Sequence, residues 1–240
     1  MTEGLWDHET FLRKLEEIGG RSYHDKHPFH LLMNAGNLSP EAIRGWVINR
    51  FYYQANIPVK DAAILSNCPF HEIRRLWTYR IVEHDGREGE EGGIEAWLRL
   101  GAACGIPRED MIGNAQVIPA VRFAVDAYVH FCREKPWIVA MSSSLTELFA
   151  PDLMARRLEA FQQHYGWVQP WGFDYFQRRL TQAKTDSQGA LALTLRYCDT
   201  PALQRAAVEA LIFKCDLLWA VLDAIHLKFA PSSSPSHGPS

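Results

Sequence analysis

The chain lacks any apolar run approaching the ~20 residues that a membrane-crossing helix needs. It also lacks the basic start, apolar stretch and small-residue cleavage site of a secretory signal. "MTEGLWDHETFLRKLEE" opens with a polar, amphipathic segment, and the expectation is a cytoplasmic protein. Runs of lysine and arginine are missing and the formal net charge is -3, which argues against nucleic acid as a partner and leaves a small anion open. The five cysteines (Cys68, Cys104, Cys132, Cys198, Cys215) are odd in number and form no C-x-x-C pair, so they read as small core residues rather than a disulfide framework or zinc site. No G-x-G-x-x-G or P-loop is present, which argues against a tightly held dinucleotide and a P-loop nucleotidase. Alternating strand patterns are absent as well.

What remains is helix. Ser39 before Pro40, and Thr200 before Pro201, are paired N-cap and first-turn signals. The second opens a last helix of about thirty residues. Other helical segments are expected near 9–18, 69–84, 94–104, 118–134, 137–149, 152–164, 173–184 and 188–198, without a repeating period. This pattern predicts an all-α compact helical bundle formed by a single domain over 1–230. Residues 231–240, "PSSSPSHGPS", offer too few apolar groups to offset the entropy of ordering and read as a disordered tail or the start of a linker.

Several helices carry polar side chains on the stripe that should be apolar. At 100° per residue, Ile73, Leu76, Trp77, Arg80, Ile81 and His84 share one face. Arg50 and Gln54 interrupt the stripe after Ser39, and Lys214 interrupts that of the last helix. Tyr128 and Arg179 do so in theirs, with Tyr175 one turn before Arg179. A lone arginine in such a place is usually a snorkelling chain or half of a structural ion pair. Several together need compensation, since each unpaired buried charge costs several kcal/mol. Either internal carboxylates such as Asp61, Asp126 or Glu147 pair with them, or the bundle encloses an internal ligand cavity whose cations clamp an anion. The hydrogen-bonding and proton-transfer groups Gln54, Tyr128, Tyr175 and His84 favour the cavity. Gly86 is expected to end its helix in a left-handed conformation, placing His84 in the last turn. There the helix dipole favours imidazolium and Arg80 opposes it. The glycine-rich acidic segment that follows reads as a solvated loop.

Other clusters carry less. His24, His27 and His30 are spaced by three, but Pro28 interrupts a continuous helix, so His27 and His30 read as loop histidines. Asp223 and His226, with Glu83 and His84, echo a di-iron carboxylate site, yet the paired Glu-x-x-His motifs are missing and no metal is expected. Cys215 beside Lys214, and Ser142 to Ser144, have no base assigned by spacing.

The segments "YHDKHPFH", "GWVINRFYYQANIPVKDAAILSNCP", "EHDGREGEEGGIEAWLRLG", "RFAVDAY", "SSLTELFAP", "DYFQRRL" and "FKCDLLWAVLDAI" together resemble the pyrroloquinoline quinone synthase family, over nearly the whole chain to about Ala230. The resemblance implies a heme-oxygenase-like, TenA-like bundle acting as a homodimer. It implies an oxidoreductase that performs the final step of pyrroloquinoline quinone biosynthesis: cofactor-free ring closure and oxidation of a polycarboxylated bicyclic precursor by O2, releasing H2O2. By family pattern, His24, Arg50, Gln54, Lys60, Arg80, Tyr128, Thr146, Glu147 and Arg157 match substrate-binding positions, and His84, Tyr175, Arg179 and Lys214 match catalytic ones. Met154 stands where family members carry a second pocket histidine, and a thioether transfers no proton. The Ser/Pro tail is similar to that of members fused to a small peptide-carrier domain. Competing expectations are a quinone carrier that has lost turnover and a TenA-like thiamin-fragment hydrolase, which would need a placed Cys-Glu pair.

Overall fold

The computed structural model describes residues 4–230, apart from the side chains of residues 181–187. The segment at 231–240, expected to be a tail, lies outside the described residues. Helices α1 (His8–Ser22), α2 (Pro28–Asn34), α3 (Pro40–Asn67) and α4 (His71–Asp85) lead into a two-residue hairpin, β1 (Gly86–Arg87) against β2 (Glu90–Glu91). Then follow α5 (Gly93–Ala103), α6 (Arg108–Ile112), α7 (Pro119–Glu134), α8 (Trp137–Ser142), α9 (Ala150–His164), α10 (Asp174–Tyr197) and α11 (Pro201–Phe229). The expected all-α bundle is what forms, and no described helix is long and apolar enough to cross a membrane.

The caps act as the sequence predicts. Ser39 Oγ accepts from the Ala42 N–H and Thr200 Oγ1 from the Leu203 N–H. Gly86 closes α4 at φ +84°, a region costly for other residues, and a side chain there would meet the Glu90 carbonyl at 2.6 Å. The acidic segment is a turn of hairpin instead of an open loop. Arg99 holds Glu91 and Asp174, and Arg178 donates to the Glu91 carbonyl, so the hairpin is tied to α10.

Three boundaries differ from expectation. Pro28 does not break a helix but starts one, at the first-turn position where its missing N–H costs nothing, and His27 caps it by accepting from the Phe29 N–H. The expected helices 173–184 and 188–198 are one, α10, since Gly189 is tolerated within it. Residues 143–149 tighten into a 3₁₀ turn, which aims Ser143, Ser144, Thr146 and Glu147 at the centre.

Helix α3 is the central post, packed by α4, α5 and α7, while α11 packs against α1, α7, α8 and the 143–149 turn. Its apolar core includes Trp46, Trp97, Phe161 and Phe176, whose rings meet edge-on or tilted. On α4 the buried stripe is narrower than periodicity predicts. Ile73, Trp77, Arg80 and His84 are buried, but Leu76 is 68% exposed.

Candidate active site

The polar intruders converge. Eight of the singled-out positions, His24, Arg50, His84, Thr146, Glu147, Met154, Tyr175 and Arg179, line one recess inside the bundle. Its volume is about 30 Å³, room for a water molecule and not for a polycyclic ligand, so the recess is not the ligand-sized cavity that the sequence predicts. His84, Tyr175 and Arg179 also line an outer cleft of about 230 Å³, with Arg87, Arg178, Glu90 and Glu91 around its mouth. These three side chains line both spaces.

The other six positions form the layer behind. The Tyr175 hydroxyl donates to Gln54 Oε1 at 2.9 Å, and Arg80 lies 3.6 Å from Glu147. Lys60 donates to Ser144 at 2.9 Å. Ser143 Oγ donates to the Ala140 carbonyl, so the Tyr128 hydroxyl, 3.0 Å away, is the donor to Ser143. Lys214 donates to the Tyr53 hydroxyl. Its Nζ lies 4.1 Å and 3.5 Å from the ring centroids of Tyr53 and Tyr128, which are parallel and 6.5 Å apart. The amine thus sits between two aromatic faces. Arg157 reaches Met154 Sδ at 3.7 Å and His30 Nε2 at 3.1 Å.

Of the two compensations considered for the buried cations, internal carboxylates are present, and they serve some of the cations and not others. Asp61 lies 2.6 Å from Lys60 and 3.7 Å from Arg80, and accepts from the Trp77 indole at 2.8 Å. Glu147 pairs with Arg80 and Arg179. Burial pushes the Glu147 carboxyl up, but Arg179, Arg80 and Lys60 outweigh it and hold its pKa at about 2. Asp126 instead accepts from Tyr52 away from the site. Arg50, Arg157 and Lys214 have no carboxylate partner among the described residues. Arg50 stacks on Tyr53 at 3.8 Å, and its Nη1 has no hydrogen-bond acceptor among the described residues. Gln54 Nε2, His24 Nδ1 and Arg157 Nε are also buried without hydrogen-bond partners among the described residues. Burial, with Lys60 and Arg50 nearby, draws the Lys214 pKa well below the usual lysine value, and burial with Arg50 lowers that of Arg157 to about 10.

His84 is set up as a neutral base. Its Nδ1 is 2.9 Å from the Arg80 carbonyl, which only accepts, so Nδ1 carries the proton and Nε2 keeps its lone pair. Burial, then Arg179 and Arg80, bring its pKa to about 4, so the contest with the helix dipole falls on the neutral side.

Periodicity missed Tyr23 and Tyr53, which line the recess beside His24 and Arg50. It also misplaced His27 and His30, both buried. His27 Nε2 meets Asp223 at 3.0 Å, joining α2 to α11. The cysteines are buried and none lines the recess. Among the described residues no three His, Cys, Asp or Glu side chains gather as metal ligands.

Comparison with known proteins bears on this arrangement. The TENA/THI-4/PQQC family model matches residues 12–224. The chain belongs to the TENA/THI-4/PQQC family. Within that family it is 51% identical over 218 residues to the pyrroloquinoline-quinone synthase of Cronobacter sakazakii, covering 91% of this chain and 87% of that protein. It is 49% identical over 237 residues to the synthase of Pseudomonas aeruginosa, covering 99% and 94%. Solved structures share the fold at lower identity. A TenA homolog from Pseudomonas syringae pv. tomato superposes with a TM-score of 0.73 at 14% identity, over 94% of this chain and 98% of that one. A domain with a heme oxygenase-like fold from Shewanella denitrificans gives 0.73 at 13% identity, over 92% and 90%. The expected heme-oxygenase-like, TenA-like architecture is thereby shown.

Proposed function

We propose that this chain is an oxidoreductase that performs the last step of pyrroloquinoline quinone formation, closing a ring of a polycarboxylated bicyclic precursor and oxidising it with O2. One observation carries the reading: among the described residues Arg50, which lines the recess, and Arg157 and Lys214, in the layer behind it, have no carboxylate partner, and Arg50 Nη1, Gln54 Nε2 and His24 Nδ1 are buried there without hydrogen-bond partners. Such uncompensated positive charge is costly in an empty protein and favourable around a ligand bearing several carboxylates. Relatives at about half identity that are named pyrroloquinoline-quinone synthase support the same substrate class.

In this reading the carboxylates engage Arg50, Arg157 and the Lys60–Arg80 side of the site, with His24, Gln54, Tyr128 and Thr146 as further contacts. Neutral His84 takes a ring proton at Nε2. Bound anion offsets the repulsion from Arg179 and Arg80, so the His84 pKa rises on binding and its strength as a base with it. Each two-electron oxidation removes two electrons and two protons from the ring and delivers them to one O2, giving H2O2. Arg179 stabilises the developing peroxide while Tyr175 and Lys214 relay to it the two protons that leave the ring. This chemistry draws its electrons from the substrate and needs no resident cofactor. A ligand-sized space requires side chains lining the recess, His84, Tyr175 and Arg179 among them, to move. We place the enzyme in the cytoplasm as a homodimer, supplied by a peptide-carrier domain that is fused or separate.

The test is to mix metal-stripped protein with the late precursor and follow quinone absorbance in air and under argon. Conversion in air alone supports a cofactor-independent oxidase. Conversion that depends on added metal overturns that part. The thioether of Met154 in the recess favours, as a second reading, a carrier that binds quinone without making it; tight product binding with no conversion selects it.

A further inference from the structure

Arg157 is held differently from the paired cations of the site. Lys60, Arg80 and Arg179 lie against Asp61 or Glu147, whereas the side-chain acceptors for Arg157 are uncharged, the His30 imidazole and the Met154 thioether. His30 Nδ1 is 2.9 Å from the His24 carbonyl. A carbonyl only accepts, so Nδ1 carries the proton and the Nε2 lone pair faces Arg157 Nη2 at 3.1 Å. Burial, and then Arg157 itself, keep the His30 pKa well below the ordinary value, which maintains the neutral ring this bond needs.

The placement of His30 is itself constrained. It lies in the first turn of α2, which is fixed by Pro28 and by the His27 cap, and His27 is bound through Nε2 to Asp223 of α11. The guanidinium it orients is fully buried, rests over Trp46 at 4.9 Å and sits behind Met154, which lines the recess. The same ring fixes the backbone of His24, another lining residue.

We propose that His30 is a positioning residue for ligand recognition, an uncharged acceptor that aims the Arg157 guanidinium while leaving its positive charge whole for a ligand carboxylate. A carboxylate at position 30 would hold Arg157 as well or better but would cancel its charge towards the recess. The proposal rests on the polycarboxylate reading of the site.

The test titrates pyrroloquinoline quinone into the intact chain and into His30→Gln, His30→Leu and His30→Glu under argon, alongside thermal unfolding of each ligand-free protein. His30→Gln presents an amide oxygen to Arg157 and is expected to bind within about threefold of the intact chain. His30→Leu loses about tenfold. His30→Glu loses about a hundredfold while its unfolding midpoint stays at or above that of the intact chain. Falling affinity with undiminished stability is a result that a merely structural histidine would not give. Intact-like binding by His30→Glu overturns the proposal and leaves the polycarboxylate reading standing. So do affinities that simply follow the unfolding midpoints, with His30→Gln as impaired as His30→Leu. Failure of the intact chain to bind the quinone overturns both.

Discussion

Glu147→Gln separates a carboxylate that sets the charge of the site from one that contacts the ligand. The variant keeps the shape and an oxygen for Arg179 but removes the negative charge lying 3.6 Å from Arg80 and paired with Arg179. A carboxyl held at about 2 against an ordinary 4.5 corresponds to roughly 3 kcal/mol favouring its ionised form in the fold. The side chain is 18% exposed and the amide retains part of the hydrogen bonding, so the expected loss of stability at pH 7 is about 1–2 kcal/mol. Because the folded pKa lies below the unfolded one, the contribution is complete above about pH 4.5 and is lost as pH falls towards 2. The gap between variant and intact chain should close over that window, as read by urea unfolding. Arg80 and Arg179 at the same time become less compensated, and the affinity for pyrroloquinoline quinone should rise about tenfold. Lower stability with tighter binding is the expected pair of results. Weaker quinone binding by Glu147→Gln would refute the charge argument and make Glu147 a direct acceptor for the ligand.

Arg50→Met should leave unfolding stability unchanged or raise it, because no carboxylate loses a partner, while quinone affinity falls at least about tenfold; a stability loss comparable to that of Glu147→Gln would contradict the unpaired state of Arg50. His84 has a folded pKa of about 4 below its ordinary 6.5, so its contribution to stability is full above pH 6.5 and declines as pH falls to 4. His84→Asn should flatten the acid side of the urea stability profile by up to about 3 kcal/mol and reduce turnover at least about a hundredfold; intact turnover would remove His84 from the proton step. Met154→His places an imidazole on the recess one helical turn from Arg157, and oxygen uptake in the presence of precursor should increase; an unchanged rate would show that the thioether is no handicap.

Where the fold follows local chemistry it was legible in the sequence. Ser39–Pro40 and Thr200–Pro201 announce α3 and α11, and Gly86 ends α4, because caps and positive φ need no distant partner. Periodicity found Arg50, Arg80, Tyr128, Arg179 and Lys214 for the same reason. It failed where tertiary packing decides. Leu76 fits the stripe of α4 but lies exposed, since only the face at Ile73, Trp77, Arg80 and His84 meets the bundle. Pro28 reads equally as a break or as a first-turn residue, and the choice depends on His27 reaching Asp223 across 196 positions. Tyr23 and Tyr53 look like ordinary core aromatics until Lys214 and Arg50 are brought against Tyr53. Which cation meets Asp61 or Glu147, and which is left to a ligand, depends on contacts between α3, α4, α10 and the 143–149 turn that no spacing rule contains.

The most direct measurement is a crystal structure of the chain with pyrroloquinoline quinone bound under argon. The account predicts the quinone in an expanded central recess, with carboxylates on Arg50 and Arg157 and His84 Nε2 within hydrogen-bond distance of the ring system. A quinone held in the outer cleft by Arg87 and Arg178, with Arg50 and Arg157 untouched, would contradict it.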